Sequence, residues 1–175
     1  MIDEQHGIAW QEVKPFQDIT YHKAEGIARI AFNRPEVRNA FRPTTIDEMI
    51  EAFRDAWRDP QTGVVLLTGN GPSPKDGKYA FCSGGDISAM LDTSRTGLTF
   101  RAGMRELHQW FPELVNMEKP VIAAVDGPAF GAGLSLALAA DFIVATRRAK
   151  FCAVFGRIGL VPDLGALHLL PRIVG

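Results

Sequence analysis

Phe130-Gly131-Ala132-Gly133-Leu134-Ser135-Leu136-Ala137-Leu138-Ala139-Ala140-Asp141 is a run of small and apolar residues that reads as a tightly packed helix beginning near Gly131. Before it, Val121-Ile122-Ala123-Ala124-Val125 has the continuous apolar character of a buried strand, broken at Asp126-Gly127-Pro128. Glycine and alanine at a helix start let another molecule approach the backbone closely. The first N–H groups of the helix have no internal acceptor and point outward as donors. They suit an anion, or an oxygen that becomes negative during a reaction. Taken alone, the pattern also fits a packed strand–turn–helix with no chemistry.

A second glycine-rich turn, Ala80-Phe81-Cys82-Ser83-Gly84-Gly85-Asp86-Ile87, follows another buried-strand candidate, Val64-Val65-Leu66-Leu67-Thr68, after a polar loop. Asp86 is placed to cap the segment after it. One exposed N–H from each turn, converging on a single carbonyl oxygen, would make a two-donor anion site.

The rest of the chain reads as one α/β domain. Its 175 residues are 46% hydrophobic and 22% charged, with a net charge of −1. That composition supports a real core and gives no electrostatic case for nucleic acid or an anionic membrane. Two cysteines, Cys82 and Cys152, make no disulfide framework, and no H-x-x-x-H or C-x-x-C spacing suggests a metal. The apolar stretch from Gly127 to Ala140 is too short to span a bilayer, and Met1 to His6 is polar and acidic without a signal pattern. A cytoplasmic protein is expected.

Residues 1–16 lack periodicity and read as a loose leader, with the core over 17–175. Asp18–His22 and Ile27–Phe32 alternate around Glu25-Gly26 as a hairpin. A helix starts near Pro43–Glu48, with Thr44 or Thr45 as cap, and Ile46, Met49, Ile50, Phe53 and Trp57 form its core stripe. The loop from Gly69 to Lys78 is expected to be exposed and mobile. A helical segment follows Asp86 to a break near Thr93–Gly97. Phe100–Met117 is amphipathic, with Pro112 expected to kink or restart it. Phe142–Ala145 and Ala149–Cys152 are extended, and Leu164–Leu170 is helical. His108 and His168 read as surface or packing residues.

With Arg38-Asn39-Ala40-Phe41 upstream and Gly159-Leu160-Val161-Pro162-Asp163 downstream, the two turns resemble the crotonase (enoyl-CoA hydratase/isomerase) superfamily. The likeness runs from about Ile19 to Gly175. It implies a ββα spiral and a backbone oxyanion hole for a thioester enolate, whose donors by motif position are the N–H groups of Gly85 and Ala132. It places Arg38, Asn39, Ala40, Arg42, Ser83, Gly84, Asp86 and Ile87 along the coenzyme A moiety, with Phe130 and Gly131 also in the substrate site. It further implies an acyl-CoA substrate with coenzyme A as part of it, no tightly bound cofactor, no metal, and a homo-oligomer, trimer or hexamer. Members continue past a Pro-Arg-Ile-Val-Gly segment with helices that cover the acyl pocket and build trimers; that C-terminal part is expected to be absent here.

Hydratases of the superfamily use two glutamates, and the matching positions are Ser135 and Phe155, neither of which carries a proton as a carboxylate does. Asp163 is the acid left nearby. Its local sequence fits a cap of the last helix as well as a catalytic group. Gly-Leu-Val-Pro-Asp resembles family isomerases in which an aspartate at this site shuttles a proton, and an apolar surround of Leu160, Val161 and Leu164 would raise its pKa. Arg38–Pro43, Leu67–Gly77 and Phe81–Asp86 resemble instead the 1,4-dihydroxy-2-naphthoyl-CoA synthases of menaquinone synthesis. Those have a Gln and a basic run at Ile87–Met90 and Ser-Phe-Asp at Val161–Asp163. Three readings stand: an isomerase/hydratase-type enzyme, a ring-closing synthase, and a non-catalytic acyl-CoA-binding relative.

Overall fold

Apolar alternation along 19–32 builds the first hairpin of the computed structural model, which describes residues 2–3, 7–91 and 96–175. Ahead of it, β1 (Ile2–Asp3) and β2 (Ile8–Ala9) pair antiparallel, and β3 (Gln11–Lys14) adds to the sheet edge against β4 (Ile19–Ala24). Part of the stretch expected as a loose leader is therefore strand. All four residues of β3 are exposed and mostly polar, as edge strands tend to be, so no period-2 apolar signal marks it. β4 turns into β5 (Ile27–Phe32) through Glu25 and Gly26, both at positive φ.

From β5 onward the chain repeats one step: a strand in the large sheet, a short extended piece in a second layer, then helix. β5, Phe41 and α1 (Pro43–Arg58) make the first step; β6 (Val64–Gly69), Cys82, α2 (Ile87–Met90) and α3 (Gly97–Val115) the second. β7 (Val121–Val125), β8 (Pro128–Phe130) and α4 (Ala132–Leu138) follow, then β9 (Phe142–Ala145), β10 (Lys150–Cys152) and α5 (Ala166–Val174). The large sheet has the order β3-β4-β5-β6-β7-β9, parallel from β5 on. In the second layer Phe41 bridges Gly85, Cys82 bridges Ala129, and β8 pairs with β10, all parallel. This is an α/β fold, as the alternation of elements predicts, wound as the ββα spiral that the resemblance implies. β8 is new: three residues beginning at the proline of Asp126-Gly127-Pro128 carry no period and read as turn.

One face of the large sheet holds the core. Ile30 and Phe32, Val65 and Leu67, and Val121, Ala123 and Val125 alternate inward along their strands and are buried. α1 covers them with Met49, Ile50 and Phe53, and α3 with Leu107, Trp110 and Leu114. Phe53 and Trp110 meet at 5.8 Å between ring centroids. Behind α1, the Tyr21 hydroxyl donates to Asp55 at 2.7 Å, and Lys23 bonds both Asp55 (2.7 Å) and Asp59 (2.8 Å), tying β4 to the end of the helix.

Several local expectations change. α1 is capped at Arg42, one residue before Pro43, because proline suits the first helical position. Thr45 sits inside the first turn, where its Oγ1 accepts the Arg42 N–H at 3.1 Å. Trp57 ends the apolar stripe at the rim, 45% exposed, with its indole N–H on Glu118. α3 begins at Gly97, capped by Thr96, and runs through Pro112 without restarting; the predicted break at 93–97 falls mostly outside the described residues. The 69–78 loop is mostly exposed, as expected, yet tied to the body of the fold: Ser73 is buried, its N–H donates to the Lys78 carbonyl at 2.9 Å, and Arg38 bonds that same carbonyl and Asp76. Among the described residues no helix is long and apolar enough to cross a membrane.

Candidate active site

The two glycine-rich turns touch. Cys82 lies in parallel register with Ala129: its N–H donates to the Pro128 carbonyl at 3.1 Å and its carbonyl accepts the Phe130 N–H at 3.0 Å. Glycine at two crossing points is a steric requirement. A Cβ on Gly133 would stand 2.3 Å from the Cys82 carbonyl oxygen, and one on Gly84 would stand 2.9 Å from that of Phe130 and 3.5 Å from the Ala132 nitrogen. Gly84 also has φ +98°, where a side chain is strained.

This crossing sets which N–H groups stay available. Phe41 donates to the Gly84 carbonyl (2.9 Å) and accepts from the Asp86 N–H (2.8 Å), so both ladder bonds skip Gly85. In such a parallel bridge Gly85 turns its own N–H away from Phe41. Ala132 is the first residue of α4, so its N–H has no acceptor within the helix.

A cavity of about 340 Å³ opens beside Ala132. Phe41 and Arg42, the first turns of α1 (Pro43, Ile46, Asp47), Asp86, Ala89, the start and middle of α3 (Thr96, Gly97, Gly103, Met104, Leu107), Asp163 and Leu164 complete its wall. Its volume is at the small end of ligand pockets, and its lining is mostly apolar with a few polar groups. Ile46, Met104 and Leu107, which the sequence gives to amphipathic helices, here serve as wall. A larger depression lies along α3 but is walled by that helix alone, so it encloses nothing.

Asp163 meets this cavity and does not cap α5. The cap is Gly165, without any side-chain bond; Asp163 contributes only its carbonyl, to the Ala166 N–H at 2.9 Å. Asp163 is exposed to solvent on one side; the partial desolvation of its carboxyl against the cavity raises its pKa, against smaller opposing effects of its own backbone N–H and of His108. His108 and His168 are exposed, as predicted. Ser135 is buried, with its hydroxyl 3.4 Å from the Gly131 carbonyl, Phe155 is buried, and neither borders the cavity.

The residues expected along coenzyme A divide into two groups. Arg42 and Asp86 border the cavity, whereas Asn39 supports it from behind. Asn39 is 1% exposed; both its amide N–H bonds are used, on the Ala80 (2.7 Å) and Asn70 (2.9 Å) carbonyls, and its oxygen accepts the Arg34 N–H. Its side chain has no donor left for a ligand. Arg34 bonds the Ala40 carbonyl (2.6 Å) and Asp86 (3.0 Å), while Asp86 accepts the Ser88 N–H and so caps α2 as predicted. Arg38 is committed to Asp76 and the Lys78 carbonyl, and its own carbonyl accepts the Ser83 N–H. Ile87 is exposed, Phe130 donates to Cys82 and Gly131 to Cys152.

Asp18 is the member of this group that sequence reading missed. Buried beside the cavity wall, it takes Nε and Nη2 of Arg42 at 2.7 and 2.8 Å and the Thr45 hydroxyl at 2.6 Å. Burial pushes its pKa up, but Arg42, Thr45 and Arg34 together outweigh that and hold it below the usual value. A lone Asp at a strand start gives no sign of this; its signal is the charge that Arg42, 24 residues later, needs balanced.

The model for enoyl-CoA hydratase/isomerase proteins matches residues 22–175. This chain belongs to the enoyl-CoA hydratase/isomerase family. It is 46% identical over 95% of its length to a 1,4-dihydroxy-2-naphthoyl-CoA synthase of Mycobacterium tuberculosis, and 36% identical over 90% to a 1,2-epoxyphenylacetyl-CoA isomerase of Escherichia coli. Among solved structures, an enoyl-CoA hydratase from Polaromonas superposes with a TM-score of 0.78 at 35% identity, covering 90% of this chain and 59% of that one. The crotonase fold is thereby established. The chain spans 58% of the length of each of these two curated relatives.

Proposed function

We propose that the cavity receives the acyl end of a coenzyme A thioester. The thioester oxygen is held between the Gly85 and Ala132 N–H groups, and Asp163 moves a proton on the acyl chain. The observation that carries this reading is the position of Asp163: a carboxyl with a raised pKa, free of any capping role, on the same cavity as Ala132. Removing a proton beside the thioester carbonyl puts charge on its oxygen, where two fixed N–H donors oppose it at no cost of reorganisation. A carboxyl with a raised pKa takes that proton and returns it to another carbon of the same chain near neutral pH. With Ser135 and Phe155 where hydratases of the family are expected to have glutamates, water activation is weak, so isomerisation is favoured over hydration. No separate cofactor enters this chemistry. The same reading includes a homo-trimer or hexamer, which sedimentation equilibrium checks.

The deciding experiment is Asp163→Asn. Coenzyme A thioester binding should persist, while isomerisation of a 3-enoyl-CoA and deuterium exchange at the α-carbon vanish. Rapid crotonyl-CoA hydration that survives Asp163→Asn would remove Asp163 from the chemistry. The 46% identity to a naphthoyl-CoA synthase supports a second reading, ring closure of succinylbenzoyl-CoA. Turnover of that thioester, with crotonyl-CoA and 3-enoyl-CoA inert, would establish it; binding of all three without turnover would leave an acyl-CoA-binding protein.

A further inference from the structure

α3 presents Leu107, Trp110 and Leu114 to the core, all buried. One turn before Leu107, the same side of the helix brings Gly103 to the cavity wall beside Met104. The period of that face calls for an apolar side chain at 103. A glycine inside a helix weakens it relative to alanine, because it has the most backbone freedom to lose. The backbone does not require glycine there: residue 103 lies within the regular helix and is not among the positive-φ glycines. Gly103 is exposed and borders the cavity together with Ile46, Leu107 and Leu164, so a side chain there would take up space that is now open.

We propose that the acyl group taken by this cavity is broader than a straight chain, branched or ring-bearing, and that Gly103 is the residue that sets its girth. The proposal rests on the reading of the cavity as the acyl site of a coenzyme A thioester, and names the class of thioester it takes.

Calorimetry of the full chain with phenylacetyl-CoA and octanoyl-CoA, which have equal numbers of acyl carbons, tests it. Wild type should bind both, phenylacetyl-CoA at least as tightly. Gly103→Leu should bind phenylacetyl-CoA at least about tenfold more weakly and keep octanoyl-CoA within about twofold, since a flexible chain bends around the new side chain where a ring cannot. Gly103→Ala should lose part of the phenylacetyl-CoA affinity and melt at a higher temperature than wild type, because alanine is the better helix former. A lower melting temperature in Gly103→Ala would show that the glycine serves the backbone, and would overturn the proposal. So would a folded Gly103→Leu protein that binds both thioesters as wild type does, or loses both equally. Wild type binding octanoyl-CoA but not phenylacetyl-CoA would sink the width inference alone. Wild type binding neither thioester nor free coenzyme A would sink the acyl-site reading with it.

Discussion

Asp163 bears opposite consequences for chemistry and for stability. Its folded pKa is raised, so ionising it costs the folded state more than the unfolded one, by an amount that its exposure to water keeps small. Stability is therefore lost as pH rises from the unfolded carboxylate value through the raised folded one, and stays lost at neutral pH. Asp163→Asn should then melt no lower than wild type near pH 7 while turnover falls by about 10²–10⁴. Equal loss of melting temperature and activity would mean that the aspartate is structural. Arg42 has the contrary balance, since truncation leaves Asp18 buried with only Thr45 and a distant Arg34. Arg42→Ala should cost roughly 1.5–3 kcal/mol in urea unfolding, the worth of a charged hydrogen bond. Full stability of that variant would show that solvent already satisfies Asp18. Cys82 offers a simpler check, because burial pushes its thiol up to about 12. A thiol reagent at neutral pH should reach Cys152 alone in the native protein and both cysteines in denaturant.

At the scale of elements, the crossing of the 80–85 and 128–133 segments is tightly packed. Gly133→Ala places a methyl group 2.3 Å from a backbone oxygen, so one segment must move. A loss of about 1–3 kcal/mol is expected, with activity falling further than in a surface variant of equal stability; retained activity in a folded protein would separate the crossing from the site. Elements with long apolar runs or a 3.6 period, namely β5, β6, β7, α1 and α3, were readable from residues alone. β8 and β3 were not: one is too short to show a period, and the other is an exposed edge strand with polar residues on both faces. Within the site, glycines and Asp86 announce themselves by type and spacing. Asp18 and Asn39 do not, because what makes them structural is a partner brought close only by folding. Ile46, Met104 and Leu107 carry the pattern of core residues, and only the cavity distinguishes them from it.

The whole molecule draws its acid sensitivity from carboxylates held by cations. Asp59 is lowered to about 2, first by its bond from Lys23 and then by the Gln61 N–H. Asp126 is lowered chiefly by Arg148, and Asp55 is lowered although burial opposes it, through Lys23 and Tyr21. For each the folded pKa lies below the unfolded one, so its contribution is complete above the ordinary carboxylate range and disappears as pH falls through the folded value. Unfolding free energy should decline from about pH 4 toward pH 2. Lys23→Met should flatten that decline; an unchanged slope would place the acid sensitivity elsewhere.

Parallel register between Cys82 and Ala129, and between Gly85 and Phe41, has an evolutionary consequence. The proposed Gly85 donor belongs to main chain locked in this ladder, and the Ala132 donor follows just after the β8 segment. Away from the crossing glycines Gly84 and Gly133, their spacing therefore depends little on side-chain identity and shifts most when residues are gained or lost. A one-residue insertion would move a donor by a full strand increment of about 3.3 Å and turn it to the opposite side, with no intermediate setting. Such a site mutates like a ratchet. Around a pair of hydrogens that hold one position or lose it entirely, the side chains of the cavity wall are free to drift.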